Sequence, residues 1–314
     1  MTNNVLDRTA PVSAADLLAA DTSMGAVSAA DLLAADTSMG AVTLLVADLD
    51  LMTAYYRDAV TLTLLAQGEG RSILGRGTTP IVILEHAPAL KHAGPREAGL
   101  FHTAILFPTR ADLAEAVYAV ASRHPGSFTG SADHLVSQAF YFNDPEGNGV
   151  ELYWDRDRTA WSWTHGRVEM ATLMLDPNDF LREFRAPEPS DTTGSASVGH
   201  VHLSVGDVAT AREFYVDRLG FQTTAELGSS ALFVSAGGYH HHMAMNTWNS
   251  RGAGKRRLAL GLGLVRIEVP ADDDLHALGD RLHHYGLDQR DDGRVLGFDD
   301  PWLNRIEVTS KACE

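Results

Sequence analysis

The sequence is poor in several features that would assign a protein to a class at once. It has one cysteine, Cys313, among 314 residues, which excludes a disulfide framework and a cysteine-based metal site. Basic residues are too few to balance the acidic ones, with 25 Lys and Arg against 41 Asp and Glu and a net charge of -16. A protein this acidic is not expected to bind nucleic acid or an anionic membrane surface.

Long apolar runs are also missing. No stretch approaches the ~20 consecutive apolar residues that cross a bilayer, and the first residues, MTNNVLDRTAPVS, lack the basic and apolar regions of a signal peptide. We therefore expect no membrane partner and a cytoplasmic location. The apolar content of 45% is still enough for a substantial core, and 314 residues suit two domains.

Two kinds of internal repeat are present. Residues 12–26 recur letter for letter as 27–41, and we interpret this duplication as part of an N-terminal extension, 1–39, of which residues 1–26 should be peripheral. The second repeat is diverged, because VTLLVADLD at 42–50 resembles VHLSVGDVA at 201–209. Each copy has an alternating strand followed by an Asp that can cap a helix, which predicts a strand and then a helix.

Two further pairs of segments match in the same way. Phe101–Ala119 resembles Gly263–Gly279 at an offset of 162 residues, and Asn143–Tyr153 resembles Asp299–Val308 at an offset of 156. These matches predict an α+β protein of four βαβββ units, with approximate limits 40–90, 99–155, 198–250 and 260–310. The predicted domains are a first domain of two units that is mainly scaffold, a connector, and a second domain with the functional site, at 40–155, 156–197 and 198–310.

The stretch with the most chemistry is GGYHHHMAMNTW at 237–248. Its two glycines predict a turn between the strand ALFVSA at 231–236 and a second strand that carries the histidines. Because alternate residues of a strand point to opposite faces, His242 and Asn246 should face a cavity and the two methionines should face the core. A histidine cluster can also be a plain surface feature, so a site needs matching ligands on other strands.

Other strands of the second half offer such ligands. The alternation in GHVHLSVGD at 199–207 places His200 on the cavity face, and the last strand places Glu307 there. Two imidazoles and a carboxylate suit Fe(II) or Mn(II) with positions left open, and zinc fits the same ligand types. A bulge after the glycine pair would select His241 in place of His242. The predicted metal ligands are His200, His242 and Glu307.

The first half offers a less complete set. His102 and Glu151 in its second unit could build a separate site with Glu85 or His86. The interpretation that we prefer at this point is a scaffold in which His102 and His134 are structural.

The sequence resembles the vicinal-oxygen-chelate superfamily of glyoxalases, bleomycin-resistance proteins and extradiol dioxygenases, and most closely its CatE-like catechol 2,3-dioxygenase branch. The resemblance implies paired βαβββ modules that form two glyoxalase-like open-barrel domains with a metal inside. The segments that carry it, besides the histidine stretch, are GHVHLSVGD at 199–207, FYVDRLGF at 214–221, DHLVSQAFYFNDPEGNGVELYWDR at 133–156 and DDPWLNRIEV at 299–308.

The resemblance also implies roles for particular residues. Two family ligand positions fall on His200 and Glu307. The position of the second histidine in the well-known extradiol enzymes falls on Leu264, so the second imidazole must come from elsewhere, and the glyoxalase-like position falls on His242. The family's acid–base histidine falls on His241 or His240. Further residues expected to take part in catalysis or to bind substrate are Tyr239, His202, Asn246 and Trp248.

The activity that the resemblance implies is Fe(II)-dependent extradiol cleavage of a catechol-type aromatic ring with O₂ as co-substrate. Mn(II), Ni(II) and Zn(II) are alternative metals, and a homodimer is the expected assembly. One alternative function is a glyoxalase-like lyase, isomerase or transferase that consumes no oxygen. The other is a binding protein without enzymatic activity that sequesters small molecules in the same fold.

Overall fold

The computed structural model describes residues 32–186 and 194–311, so the expectation for residues 1–26 lies outside the described residues. The described part of the second copy of the duplication contributes a short strand, β1 (Ser38–Met39). Leu33 and Met39 are buried in the core. No helix within the two described ranges is both long enough and apolar enough to span a bilayer.

The first two predicted βαβββ units are confirmed. In each unit one helix joins the first strand to a run of three more strands. The helix of the first unit continues as a π-helical turn, Tyr55–Ala59. The elements of the first unit are β2 (Val42–Val46), α1 (Leu49–Ala54), β3 (Thr63–Gly68), β4 (Arg71–Arg76) and β5 (Thr79–His86). The elements of the second unit are β6 (Gly99–Leu106), α2 (Arg110–Arg123), β7 (Phe128–Asp133), β8 (Ser137–Asn143) and β9 (Gly149–Asp155).

The third and fourth units repeat the pattern, after a connecting segment with structure of its own. The segment contains β10 (Trp163–Thr164), β11 (Arg167–Val168) and α3 (Pro177–Phe184). The third unit contains β12 (Ser197–Ser204), α4 (Val208–Arg212), β13 (Gln222–Leu227), β14 (Ala231–Ser235) and β15 (Met243–Asn246). The fourth unit contains β16 (Gly261–Val269), α5 (Asp272–His284), β17 (Arg290–Asp291), β18 (Val295–Asp299) and β19 (Arg305–Ser310).

The aspartates predicted to cap the two equivalent helices do so. Asp48 accepts a hydrogen bond from the backbone N–H of Leu51 at 2.9 Å, and Asp207 accepts one from Thr210 at 2.8 Å. These bonds satisfy amide groups that the first turn of a helix leaves without a partner. Each helix therefore begins directly after its strand.

The strands form two large sheets that combine the units in an order different from their order in sequence. The nine-stranded sheet has the order β17-β18-β19-β16-β2-β5-β4-β3 with β1 beside β16, and the eight-stranded sheet has the order β13-β14-β15-β12-β6-β9-β8-β7. The first unit thus shares a sheet with the fourth, and the second with the third. The limits 40–155 and 198–310 mark consecutive pairs of units rather than hydrogen-bonded sheets.

Buried tyrosine–aspartate hydrogen bonds join units that lie in different sheets. Tyr56 of the first unit donates to Asp144 Oδ2 of the second at 3.0 Å, and Tyr215 of the third donates to Asp300 Oδ2 of the fourth at 3.0 Å. Both aspartates are almost fully buried. The Asp-Pro turns that the repeat comparison matched therefore hold the two sheets together.

Candidate metal centre

Three neighbouring strands at the centre of the eight-stranded sheet each contribute one polar side chain to the same face. His102 on β6, Glu151 on β9 and His200 on β12 are buried, and one potential ligand atom from each lies within 4.8 Å of the others. Ala104 of β6 is in register with both Glu151 and His200. Because His102 lies two residues before Ala104, it points to the same face. We call these three residues the His–Glu–His cluster.

The spacing of the cluster fits three ligands around one metal ion. Nε2 of His102 and Nε2 of His200 lie 2.9 and 3.1 Å from the same oxygen, Oε2 of Glu151. Ligand atoms about 2.1 Å from a metal ion, and at right angles around it, are about 3 Å apart. Nε2 of His102 is buried but makes no hydrogen bond of acceptable geometry, which is the situation of a lone pair directed at a metal ion.

The equivalent position in the other sheet shows what the cluster lacks. At the offsets of the repeat, Glu151 corresponds to Glu307 and Ala104 corresponds to Arg266. Arg266 is in register with Glu307 and places Nη2 2.9 Å from its carboxylate. Within the described ranges, Glu151 forms ion pairs with histidines alone. A buried carboxylate without a permanent cation is costly, and a bound metal ion would supply the cation that Arg266 supplies to Glu307.

The protonation states of the cluster also suit a metal ion. Burial lowers the pKa of His200 to about 4. Burial on its own would raise the pKa of Glu151, but the neighbouring imidazoles of His200 and His102 hold that pKa well below its usual range. At neutral pH the carboxylate is therefore ionised and His200 is neutral, which are the forms that bind metal ions.

Two of the three predicted ligands do not join this cluster. Glu307 lies on β19 of the nine-stranded sheet and pairs with Arg266, whereas His200 lies in the eight-stranded sheet. His242 is not among the residues that line the cavity; its Nδ1 accepts a hydrogen bond from the N–H of Ala236 at 3.3 Å and lies 3.0 Å from Ser235 Oγ. The structure thus does not bring the predicted trio together, because the third and fourth units lie in different sheets and β15 begins only after His242.

The histidine stretch instead presents His241 to the cavity. Its ring centroid lies 4.1 Å from that of His200. Behind it, His241 Nδ1 lies 2.7 Å from Nδ1 of His240, and His240 Nε2 lies 2.9 Å from Oδ1 of Asp155. A carboxylate only accepts hydrogen bonds, so His240 donates from Nε2; a neutral His240 then accepts at Nδ1, and His241 donates from its own Nδ1. This order leaves Nε2 of His241 as an unprotonated acceptor.

Tyr239, the third residue predicted for catalysis, lies behind the histidines. Its hydroxyl donates to Asp155 Oδ2 at 2.7 Å and lies 2.6 Å from the hydroxyl of Tyr153. Burial raises the pKa of Tyr239 well above its usual value, and the nearby Tyr153 and Asp155 raise it further. Tyr239 therefore stays protonated and holds the carboxylate that orients His240.

The cluster opens into a cavity of about 910 Å³. His202 lies beside the cluster and accepts a hydrogen bond from Asn246 Nδ2 at 3.0 Å. Its ring centroid lies 4.9 Å from that of Phe101 and 5.4 Å from that of Trp248, and Phe101 and Trp248 are themselves in edge contact. Two residues predicted to bind substrate, His202 and Trp248, therefore form part of an aromatic wall, which Asn246 supports from behind.

Sequence reasoning preferred a scaffold role for the first half, which supplies His102 and Glu151 to the cluster, and it missed two further parts of this site. Tyr141 lines the cavity beside Glu151, with which it is in register, and its hydroxyl bonds His134 Nε2 at 2.8 Å. Residues 167–172, assigned to the connector, form another wall. The matched repeats gave a signal for Tyr141, which lies two residues before the Asn-Asp-Pro turn. The wall at 167–172 gave none, because it has no counterpart in the other half.

Known proteins resemble this chain in sequence and in fold. A relative from Bacillus subtilis (strain 168), a catechol-2,3-dioxygenase, is 34% identical over 263 residues, which cover 82% of this chain and 92% of the relative. A crystal structure of a protein assigned as a dioxygenase, from Bacillus subtilis subsp. subtilis str. 168, superposes with a TM-score of 0.61 at 13% identity and covers 87% of this chain and 84% of that one.

Glyoxalase I from Zea mays superposes with a TM-score of 0.54 at 15% identity, over 88% of this chain and 93% of that one, and so shares the fold. The model of the Glyoxalase/Bleomycin resistance protein/Dioxygenase superfamily matches residues 38–152 and 197–308. The chain therefore belongs to the Glyoxalase/Bleomycin resistance protein/Dioxygenase superfamily.

Proposed function

We propose that the protein is a metal-dependent extradiol dioxygenase that opens a catechol-type ring beside one of its hydroxyl groups with O₂. The observation that carries the proposal is the convergence of His102, Glu151 and His200 at one end of a cavity of about 910 Å³. The relation to a catechol-2,3-dioxygenase at 34% identity supports this reaction over others of the fold.

In this proposal the metal ligands are His102, Glu151 and His200. Two imidazoles and one carboxylate leave positions open and suit a non-haem Fe(II). When bound, the metal ion would draw both catechol oxygens and O₂ to one centre and ease electron transfer between them. The two imidazoles and the carboxylate are held in place by three adjacent strands, so the ligands are positioned before the ion arrives.

His241 is the proposed proton acceptor. The hydrogen bonds from Asp155 through His240 leave Nε2 of His241 with a free lone pair, and its side chain borders the cavity beside His200. A catechol must lose a proton to become electron-rich enough for attack, and a positioned base promotes that loss. His241 would later return the proton, so that one residue serves as both base and acid.

The aromatic wall would orient the ring. Phe101 and Trp248 offer an edge and a face to a flat substrate, and such contacts favour one orientation of an aromatic ring over others. Tyr141 and His202, on opposite sides of His102, offer polar atoms near the substrate oxygens.

The test combines metal analysis with oxygen consumption. Protein purified without oxygen should contain close to one iron per chain, and adding catechol should consume oxygen and give a yellow ring-opened product. Nickel or zinc in place of iron, without oxygen uptake, would instead indicate a glyoxalase-like reaction. Protein that binds no metal even after incubation with Fe(II) or Mn(II) would contradict the metal centre itself.

A further inference from the structure

The segment between the glycine pair and β15 carries His240 and His241 without the support of a strand. β14 ends at Ser235, and β15 begins only at Met243. Nε2 of His240 is fixed by Asp155 on β9, whereas Nδ1 contacts His241, which lies in the same segment. Rotation of a histidine ring about its last side-chain bond is soft and roughly two-fold. The orientation of His240 therefore depends on the side chains that pack against its ring.

The connector supplies one of these side chains directly after β9. A short 3-10 helix, Arg158–Ala160, leads into Trp161, which is buried. Nε1 of Trp161 donates a hydrogen bond to the backbone carbonyl of Arg156 at 3.0 Å, and this bond fixes the indole. The centre of its ring lies 5.3 Å from that of His240 and 5.9 Å from that of Tyr239. Aromatic rings at these distances attract one another in preferred orientations, so Trp161 restrains both rings.

Arg158 of the same connector holds the start of the histidine segment. Its Nη1 donates a hydrogen bond to the backbone carbonyl of Gly237 at 3.3 Å. Its guanidinium carbon lies 5.3 Å from the ring centre of Tyr239 and 5.8 Å from that of Trp161, distances at which a cation is attracted to an aromatic face. Tyr239 in turn lies against His240, with 4.1 Å between the ring centres. We call Arg158 and Trp161 the connector clamp.

We propose, on the basis of the proposed function, that the connector clamp positions His240 and His241 for proton transfer. The clamp keeps His240 turned so that Nε2 faces Asp155 and Nδ1 faces His241. His241 then carries its proton at Nδ1 and can accept the substrate proton at Nε2. Neither clamp residue lines the cavity, so both act through His240 as positioning residues. Without them the ring would spend less time in the productive orientation.

Oxygen uptake by the metal-loaded enzyme with catechol tests the clamp. The Trp161→Ala variant should lower kcat about tenfold, with KM and metal content close to those of the parent, because the contacts to substrate and metal remain. Trp161→Phe keeps an aromatic ring and should recover most of kcat. Trp163→Ala is the matched control, since Trp163 lies in the same connector with an exposed fraction of 42%, and it should keep the parent kcat. An unchanged kcat in Trp161→Ala, or an equal loss in Trp163→Ala, would overturn the proposal.

A double-mutant cycle separates positioning from a general effect on the fold. Asp155→Asn already disturbs the orientation of His240, so adding Trp161→Ala should lower kcat by less than about twofold more. Arg158→Gln changes an exposed side chain and leaves the core intact. It should lower kcat about threefold in the parent and have little effect beside Asp155→Asn. Effects that multiply in both cycles would show that the clamp does not act through His240.

Nitrogen NMR tests the clamp without the reaction. Histidine-labelled protein incubated with Zn(II) should show His241 with its proton at Nδ1 alone, and loss of a signal in His241→Asn identifies it. Trp161→Ala should give a mixture of the Nδ1 and Nε2 forms. This change in a protein that consumes no oxygen would uphold the clamp and reject the dioxygenase. The same single form in Trp161→Ala and parent, with normal oxygen uptake, would overturn the clamp and leave the dioxygenase intact.

Discussion

Ala104 is the residue that distinguishes the metal centre from its counterpart. It is in register with Glu151 on one side and with His200 on the other, and it is fully buried in a cluster with Ala139 and Tyr153. Arg266 occupies the corresponding position of the other sheet and pairs with Glu307. One small residue in place of a long basic one therefore leaves a buried carboxylate ready to bind a metal ion.

We expect the Ala104→Arg variant to lose its metal ion. A guanidinium beside Glu151 would take the place of the ion, as Arg266 does beside Glu307, and the bulk of the side chain would exclude ligands. Metal content measured on folded protein tests this, with circular dichroism as the check on folding. Ala104→Ser is the matched control and should keep its metal. A fully metal-loaded Ala104→Arg protein would contradict the position of the centre.

Asp155 acts at a distance through His240. Replacing it with Asn keeps the shape but allows donation toward His240 Nε2, which would reverse the donor order and protonate the cavity side of His241. We expect Asp155→Asn to lower kcat about a hundredfold, the lower end of the range for loss of a general base, and to shift the pH profile of kcat. Metal content and KM should change little. The Tyr239→Phe variant loses the hydrogen bond from Tyr239 to Asp155 and should lower kcat less than Asp155→Asn does. An equal loss of kcat in the two variants would indicate a structural role for both residues.

At the scale of elements, the turn before the histidines decides which of them faces the cavity. Gly237 and Gly238 both have positive φ, of 60° and 67°, and the chain does not resume strand geometry until Met243. Strand alternation assigned Asn246 correctly to the side of His202 but could not be extended back to His242. The sequence shows two glycines but not the irregular path after them, and that path selects His241.

The two glycines should respond differently to alanine. A Cβ on Gly237 would come 2.0 Å from the carbonyl oxygen of Ala35, whereas one on Gly238 would meet nothing within 4 Å. Gly238→Ala should cost about 1 kcal/mol of unfolding free energy for its left-handed backbone, and Gly237→Ala about 1–3 kcal/mol more for the collision. Urea denaturation of both variants measures this. Equal costs would show that the contact with Ala35 is absent in solution.

At the scale of the whole molecule, the order of units in the sheets separates what the sequence could predict from what it could not. Repeats and alternation predicted the four βαβββ units, the helix caps and the buried faces of β12, β15 and β19, because these depend on neighbouring residues. They also placed His200 correctly on a cavity face. The pairing of β12 with β6 and of β16 with β2 depends on contacts between strands that are far apart in the sequence. The sequence does not show this pairing, and it therefore led to Glu307 as the carboxylate ligand. The structure places Glu151, not Glu307, beside His200.

Buried histidines should make the metal-free protein sensitive to acid. Burial lowers the pKa of His242 to about 3 and that of His200 to about 4. As the pH falls below about 6.5, these histidines become protonated in the unfolded chain before they do in the folded one. The free energy of unfolding therefore decreases as the pH falls toward these values. Asp144 opposes the trend, because burial raises its pKa to about 6. Its contribution is present at low pH and is lost as the pH rises through 6.

The His242→Asn variant isolates one of these contributions. Asn keeps an acceptor for Ser235 and Ala236 but cannot be protonated. We expect the unfolding free energy of both proteins to decrease as the pH is lowered, but less steeply in the variant. The slope of the variant should be smaller than that of the parent by about 1.4 kcal/mol per pH unit below pH 6. The exposed control substitution His276→Asn should leave the slope as in the parent. Urea denaturation between pH 5 and about 8 measures the slopes; identical slopes for His242→Asn and parent would contradict burial of a neutral His242.

The most direct test of the metal centre is elemental analysis of two matched variants, Glu151→Gln and Glu307→Gln. The two carboxylates occupy equivalent positions in the repeat, and each is replaced by an amide of the same shape. The centre at His102, Glu151 and His200 predicts that Glu151→Gln loses its metal ion while Glu307→Gln retains close to one ion per chain. Metal retained by Glu151→Gln and lost by Glu307→Gln would contradict this centre and return the ligand role to Glu307.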